Sequence, residues 1–452
     1  MKRIFILTVG FLSLLYMARA ESSALAEGEN ASAKAEDFVL SGYAPLEVPA
    51  KGGAVASGDL LLSGYSEAGR RSQAEDFAEE DTDEDYGYQN YHLKFEQRIS
   101  KRLNYDVSSF VYRKDYKTRD SLDNISRIFK AGLAYDLKRL GDERIKFDFK
   151  LKSRQKRYKN NPAGEYDEVG AMPALTFEEK DNYRIDLALG VDNFDYLSEG
   201  EKDQFKTSAG LGGQKHFLEK KLILVSSYKI ERLNQEKANR KKTKQEVEGG
   251  FDYEFELPWI YQLVSRLSWG QRDTKDEEER DEDIDFEYWQ YYVKSEHKIN
   301  PKLKTHLKYQ YFAKDYISAD LDHRGFYLQN ALDYEVLDSQ RQRLWLDFSI
   351  AHKEVEYNLK PDNDYQKVSL QAKVSYKRKK NWQASLGLEE NFYDFSAQDD
   401  DKNRSYLKLS AEKLFQGGDL ILSVDFKYRF TNYVQKEDQQ EEALRLGFKY
   451  RF

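Results

Sequence analysis

From residue 88 onward the chain alternates between apolar and polar positions with a period of two. Tyr91, Leu93, Phe95 and Ile99 alternate with His92, Lys94, Glu96 and Arg98. Ile145, Phe147, Phe149 and Leu151 alternate with Lys146, Asp148, Lys150 and Lys152. Tyr183, Ile185, Leu187, Leu189 and Val191 alternate with Arg184, Asp186, Ala188, Gly190 and Asp192. Near the end, Leu420, Leu422, Val424, Phe426, Tyr428 and Phe430 alternate with Ile421, Ser423, Asp425, Lys427 and Arg429. A helix would need apolar residues at i, i+3 and i+4, a spacing these runs lack. Successive side chains of a strand point to opposite faces, so the pattern sets one face in an apolar medium and the other in water.

The connections alternate in length. Short ones fall near 100–102, 139–144, 178–182, 256–258, 300–302, 338–342, 377–381 and 414–418, with turn residues such as Leu140-Gly141-Asp142 and Asn300-Pro301. Longer polar ones fall near 117–124, 155–167, 195–203, 232–245, 271–283, 313–324, 355–364, 393–404 and 431–441. Such asymmetry matches short periplasmic turns and longer extracellular loops of an outer-membrane barrel. About 19 strands follow residue 88; with a first strand near 59–67 the total is 20, or 18 if a weak segment such as 168–177 is no strand. The expected fold is therefore all-β, a transmembrane antiparallel β-barrel of about 18–20 strands. A propeller or solenoid would need sequence repeats at a fixed period, and none is apparent.

Composition changes the picture only once this pattern is known. The 452 residues are 34% charged, with mean hydropathy −0.84, as in a soluble or disordered chain. Yet 14% are aromatic, with 33 Tyr and 26 Phe, and only 7 are Pro. A barrel reconciles these facts, because only every second strand residue meets lipid. The absence of Cys excludes disulfides, thiolate nucleophiles, Cys-ligated metal and covalent haem.

The two ends supply compartment and architecture. Lys2 and Arg3, the apolar run Ile4 to Tyr16 and Ala18-Arg19-Ala20 form a signal peptide over residues 1–20, so the mature chain is expected to begin at Glu21. Residues 21–58 read as a periplasmic tail or a small plug, and 59–452 as the barrel. The echo of Val39-Leu40-Ser41-Gly42-Tyr43 in Leu61-Leu62-Ser63-Gly64-Tyr65 fits chance or a small duplication. Leu444, Leu446, Phe448, Tyr450 and Phe452 alternate with Arg445, Gly447, Lys449 and Arg451. This strand resembles the last strand of bacterial outer-membrane proteins. The resemblance implies that Phe448, Tyr450 and Phe452 form the signal read by the barrel assembly machinery. It also implies lipid and lipopolysaccharide as surroundings. Over roughly 59–452 the pattern is similar to the loosely defined β-barrel porins of many bacterial phyla, some of which accompany exopolysaccharide genes.

The water-facing set contains the candidate lumen residues: Lys146, Asp148, Lys150, Arg184, Asp186, Glu248, Asp252, Lys304, Lys308, Asp425, Lys427 and Arg429. Two readings fit them. Either the charges satisfy one another in a wet lumen, or acidic and basic arcs set a transverse field that selects a solute. The segment 284–297 is aromatic on both faces, with Phe286, Tyr288 and Tyr292 on one and Trp289 and Tyr291 on the other. Rings from one face therefore enter the lumen, joined by Tyr327 and Trp345, unless they belong to the interfacial girdle.

Other chemistry is weakly supported. Ser295 and His297 share one strand face but lack the flanking residues of a phospholipase-type barrel. Asp276 to Asp285 and Asp399-Asp400-Asp401 lack the fixed ligand spacing of a cation site. No catalytic residue, metal, cofactor or nucleic acid is expected. The stretch before the barrel is too short for a receptor's globular plug or for periplasmic repeat domains. The expected function is porin-like passage of small hydrophilic solutes. The alternative is export or surface attachment of an exopolysaccharide.

Overall fold

The computed structural model describes residues 60–451 apart from 74–85, 117–119, 199–202, 236–239, 256–259, 277–284, 317–321, 340, 379–380, 397–400, 416–419 and 435–437. The expected signal peptide 1–20, the tail 21–58 and Phe452 lie outside the described residues.

The first ten strands are β1 (Leu60–Gln73), β2 (Tyr86–Arg98), β3 (Leu103–Tyr116), β4 (Asn124–Leu140), β5 (Glu143–Tyr158), β6 (Tyr166–Glu179), β7 (Tyr183–Tyr196), β8 (Gln204–Phe217), β9 (Leu222–Gln235) and β10 (Arg240–Glu254). They are followed by β11 (Gln262–Asp276), β12 (Phe286–Asn300), β13 (Leu303–Tyr316), β14 (His323–Asp338), β15 (Gln342–Tyr357), β16 (Tyr365–Arg378), β17 (Trp382–Phe395), β18 (Lys402–Phe415), β19 (Leu420–Tyr433) and β20 (Gln439–Arg451). All 20 form one sheet of antiparallel sequential neighbours. The sheet closes where β1 pairs with β20, from Leu61 opposite Arg451 to Gln73 opposite Gln439. The upper of the two expected strand numbers is the correct one, and the weak segment 168–177 lies within β6.

Burial is inverted relative to a water-soluble protein. Large apolar side chains such as Leu189 (60% exposed), Leu211 and Leu446 lie open, whereas Glu168 (2%), Asn391 (1%) and Thr431 are enclosed. Such a surface is stable only against an apolar medium. On β19 the outward positions Leu420, Leu422, Val424, Phe426, Tyr428 and Phe430 form an uninterrupted apolar run. At ~3.3 Å per residue and a tilt of about 40°, it covers roughly 25 Å along the barrel axis, the hydrocarbon height an outer-membrane barrel spans.

One expectation needs correction. The longer connections are shorter than the loss of alternation suggests: 155–167 shrinks to 159–165, 232–245 to 236–239, and 393–404 to 396–401. Beyond the apolar belt both strand faces meet water. Alternation then confers no advantage, but the backbone ladder continues. The ends still differ, since turns such as 141–142 and 301–302 close the opposite rim. There Lys220 reaches Asp181 of the neighbouring turn at 2.6 Å, and this hydrogen bond holds the Asp181 carboxyl below its usual range.

A second finding escaped the sequence reading. At the long-loop rim, the last residue of several outgoing strands donates its backbone N–H to a carboxylate five to seven residues on. Tyr116 donates to Asp123 (2.6 Å), Tyr196 to Asp203 (2.8 Å), Tyr357 to Asp364 (2.6 Å) and Phe395 to Asp401 (2.6 Å). Tyr158 uses Glu165, and Tyr433 uses Asp438. The next residue then donates to the preceding hairpin: Lys159 to the Asp123 carbonyl, Asn358 to that of Asp322, Ser396 to that of Asp364. A weak repeat, an aromatic followed by an acid, therefore recurs at the ends of β3, β5, β7, β15, β17 and β19. Its spacing is too degenerate to stand out without the register.

Candidate functional site

Pairing fixes which face each residue shares. Asn391 is buried and sits opposite Ser369 and Arg404, while Leu388 is 53% exposed and sits opposite Ala372 and Leu407. The first parity is the inner wall and the second the outer. Followed strand by strand, the registers place Lys146, Asp148, Lys150, Arg184, Asp186, Glu248, Asp252, Lys304, Lys308, Asp425, Lys427 and Arg429 on the inner face.

Many of these charges are met by neighbours along the wall. Lys146 lies 2.7 Å from Asp148, and Arg184 2.7 Å from Asp186. Thr176 also donates to Asp186. Arg266 of β11 reaches Asp252 at 2.6 Å and Glu248 at 3.9 Å. Arg429 and Lys427 converge on Glu441 at 2.6 and 4.0 Å. Asp425 lies opposite Arg445, whose guanidinium reaches Glu67 at 2.7 Å. Lys308 rests instead on the rings of Tyr292 (5.3 Å) and Tyr327 (5.0 Å). Lys150 faces Gly132 and Met172, and Lys304 faces Lys298 and Asp333. The pairs join residues of one strand or of adjacent strands, so the wall neutralises much of its own charge locally.

The aromatic residues divide by parity too. Phe286, Tyr288 and Tyr292 face inward with Tyr327 and Trp345, whereas Trp289 and Tyr291 face outward. Ser295 and His297 also face outward, with Oγ and Nε2 3.0 Å apart. Asp401, from one of the acidic runs, is used as a hairpin acceptor. Among the described residues no cluster of His, Asp and Glu has metal-binding geometry. Phe448 and Tyr450 lie on the outer face of β20, at the seam with β1.

The sequence reading missed a concave niche in the inner wall of β14–β17, about 190 Å³ in volume. Its rim includes Tyr327, Gln329, Lys353, Lys367, Ser369 and Glu389. Lys353 and Lys367 are direct cross-strand partners. Lys353 donates to the Tyr365 hydroxyl (2.5 Å) and lies over that ring, and Lys367 lies 4.9 Å from the Tyr393 centroid. Glu389 is turned to Lys408 (3.0 Å) and Asn391. Read strand by strand, a lysine carries no local signal; the pairing of Lys353 with Lys367 comes from the register.

No protein-family model matches the sequence, and no curated protein matches it. Solved structures do. The chain is similar to the copper transporter OprC, with TM-score 0.53 and 8% identity over 88% of this chain and 83% of that one. It is similar to a variant of the ferric enterobactin receptor PfeA from Pseudomonas aeruginosa, with TM-score 0.52 and 9% identity over 88% and 81%. It is also similar to the alcaligin outer membrane receptor FauA from Bordetella pertussis, with TM-score 0.51 and 9% identity over 86% and 76%. At these identities the similarity is one of fold, and the fold is that of Gram-negative outer-membrane β-barrels.

Proposed function

We propose that this chain is an outer-membrane channel through which small hydrophilic solutes pass. The observation that carries the reading is the closed 20-stranded wall with a polar, internally paired inner face. Among the described residues, extensive packing runs only between neighbouring strands and their adjoining turns. At a strand spacing of ~4.8 Å and a tilt of about 40°, such a barrel is about 40 Å across its backbone, wide enough for a water-filled lumen between long side chains. On this reading residues 1–20 are cleaved after Ala20, and the long-loop rim is extracellular. The C-terminal strand, with Phe448, Tyr450 and Phe452, engages the assembly machinery, and lipid and lipopolysaccharide surround the outer face.

Among the described residues, no feature of the inner wall favours exopolysaccharide export or attachment over solute passage. The test is swelling of liposomes containing the refolded mature chain, with neutral sugars of graded size. Swelling that slows as the sugar grows supports a size-limited channel. Liposomes that swell no faster than protein-free ones refute it.

A further inference from the structure

The niche on the inner wall of β14–β17 combines three features that point to a ligand. First, Lys353 and Lys367 stand directly opposite each other on adjacent strands. Like charges in that position repel and destabilise a sheet unless something compensates. At another such pair on the inner wall, Lys408 and Lys427, each lysine reaches a glutamate. Among the described residues, the hydrogen-bond and ring partners of Lys353 and Lys367 are aromatic: the Tyr365, Phe312 and Tyr393 side chains. A ring face attracts an ammonium but leaves its charge in place.

Second, the one carboxylate on the rim, Glu389, hydrogen-bonds to Lys408 and Asn391 and shares its charge between Lys408 and Lys367, so it offsets only part of the niche's positive charge. Third, the remaining rim supplies groups suited to a polar organic molecule. Gln329, Gln371 and Ser369 offer amide and hydroxyl groups, and Tyr327 offers a ring. Lys308 also approaches Tyr327, adding a further cation beside the niche.

We infer that this niche is a binding site for carboxylate-bearing, sugar-sized solutes, with Lys353 and Lys367 clasping the carboxylate and Tyr327 flanking the ring. The inference rests on the channel reading insofar as the ligand is also the transported solute. The binding site itself stands on the geometry alone. Clustered positive charge beside low-dielectric wall would also raise the local concentration of anions ahead of passage.

The experiment uses the refolded mature chain with glucuronate as probe and glucose as its uncharged counterpart. Isothermal titration in detergent measures binding, and chloride current across a planar bilayer measures occupancy of the path. Glucuronate should bind and reduce the current at concentrations where glucose does neither. The double variant Lys353→Gln/Lys367→Gln should weaken binding at least ten-fold, with its fold checked by resistance to SDS before heating. Tyr327→Ala alone should weaken it less, and serves if the double variant does not fold. Equal behaviour of glucuronate and glucose overturns the proposal, as does undiminished glucuronate binding by a folded variant. Binding without any chloride current would uphold the site and refute the channel reading, so the two failures are separable.

Discussion

Glu248 and Asp252 occupy the inner face of β10, and Arg266 of the neighbouring strand reaches both. If ions pass this wall, replacing both acids by Lys leaves Arg266 amid like charge and makes the surface basic. The change amounts to four charge units. Each is felt at about 0.4 kcal/mol by an ion ~10 Å away in water, so after screening the anion-to-cation permeability ratio should rise roughly ten-fold. The reversal potential in a salt gradient reads this directly, and an unchanged value means that neither residue lines the conducting path. These two residues were legible in the sequence because period two assigns a face from neighbours along one strand. Lys353 and Lys367 were not, because their significance lies in facing each other across strands, which only the register reveals.

At the level of the element, the carboxylate acceptors at the long-loop rim replace backbone partners that the end of the ladder lacks. Asp364 takes the Tyr357 N–H, while the Asp364 carbonyl receives the Ser396 N–H of the next hairpin. Asp364→Ala removes only the first of these bonds. It should cost about 1 kcal/mol, seen as faster hydrogen exchange at the Tyr357 amide with the belt amides unaffected. Protection unchanged at Tyr357 would show that the bond contributes little. The closing seam depends on a different device. At Gly64 a Cβ would stand 2.7 Å from the His92 carbonyl oxygen and 3.1 Å from the Phe448 ring. Gly64→Val should therefore lower the fraction of chain reaching the SDS-resistant folded form, whereas normal yield would place the seam's tolerance elsewhere. Strand identity inside the belt was readable from alternation. The strand ends were not, because water on both faces erases the pattern while hydrogen bonding carries the strand on.

For the whole molecule, width and wall texture decide what the barrel can do. Fold class and closure followed from the sequence because a lipid-facing sheet must alternate and cannot leave an edge unpaired. The niche depends on four strands at once and had no local signature. Part of the inner wall is lined by small residues, among them Gly210 and Gly212, which have room for a side chain: the nearest atom to an added Cβ lies at 3.9 Å. Gly210→Trp should project into the bore and lower conductance. Gly249→Trp on the outer face, where an added Cβ meets nothing within 4 Å, should leave it unchanged. Equal effects of the two would contradict the assignment of faces.

Whether the inner wall surrounds a path for solutes is decided by single-channel recording of the refolded mature chain in a planar bilayer. An open lumen gives stable steps of reproducible size, with current proportional to voltage. A chain that resists SDS before heating, and so has folded, yet yields no steps would contradict such a path.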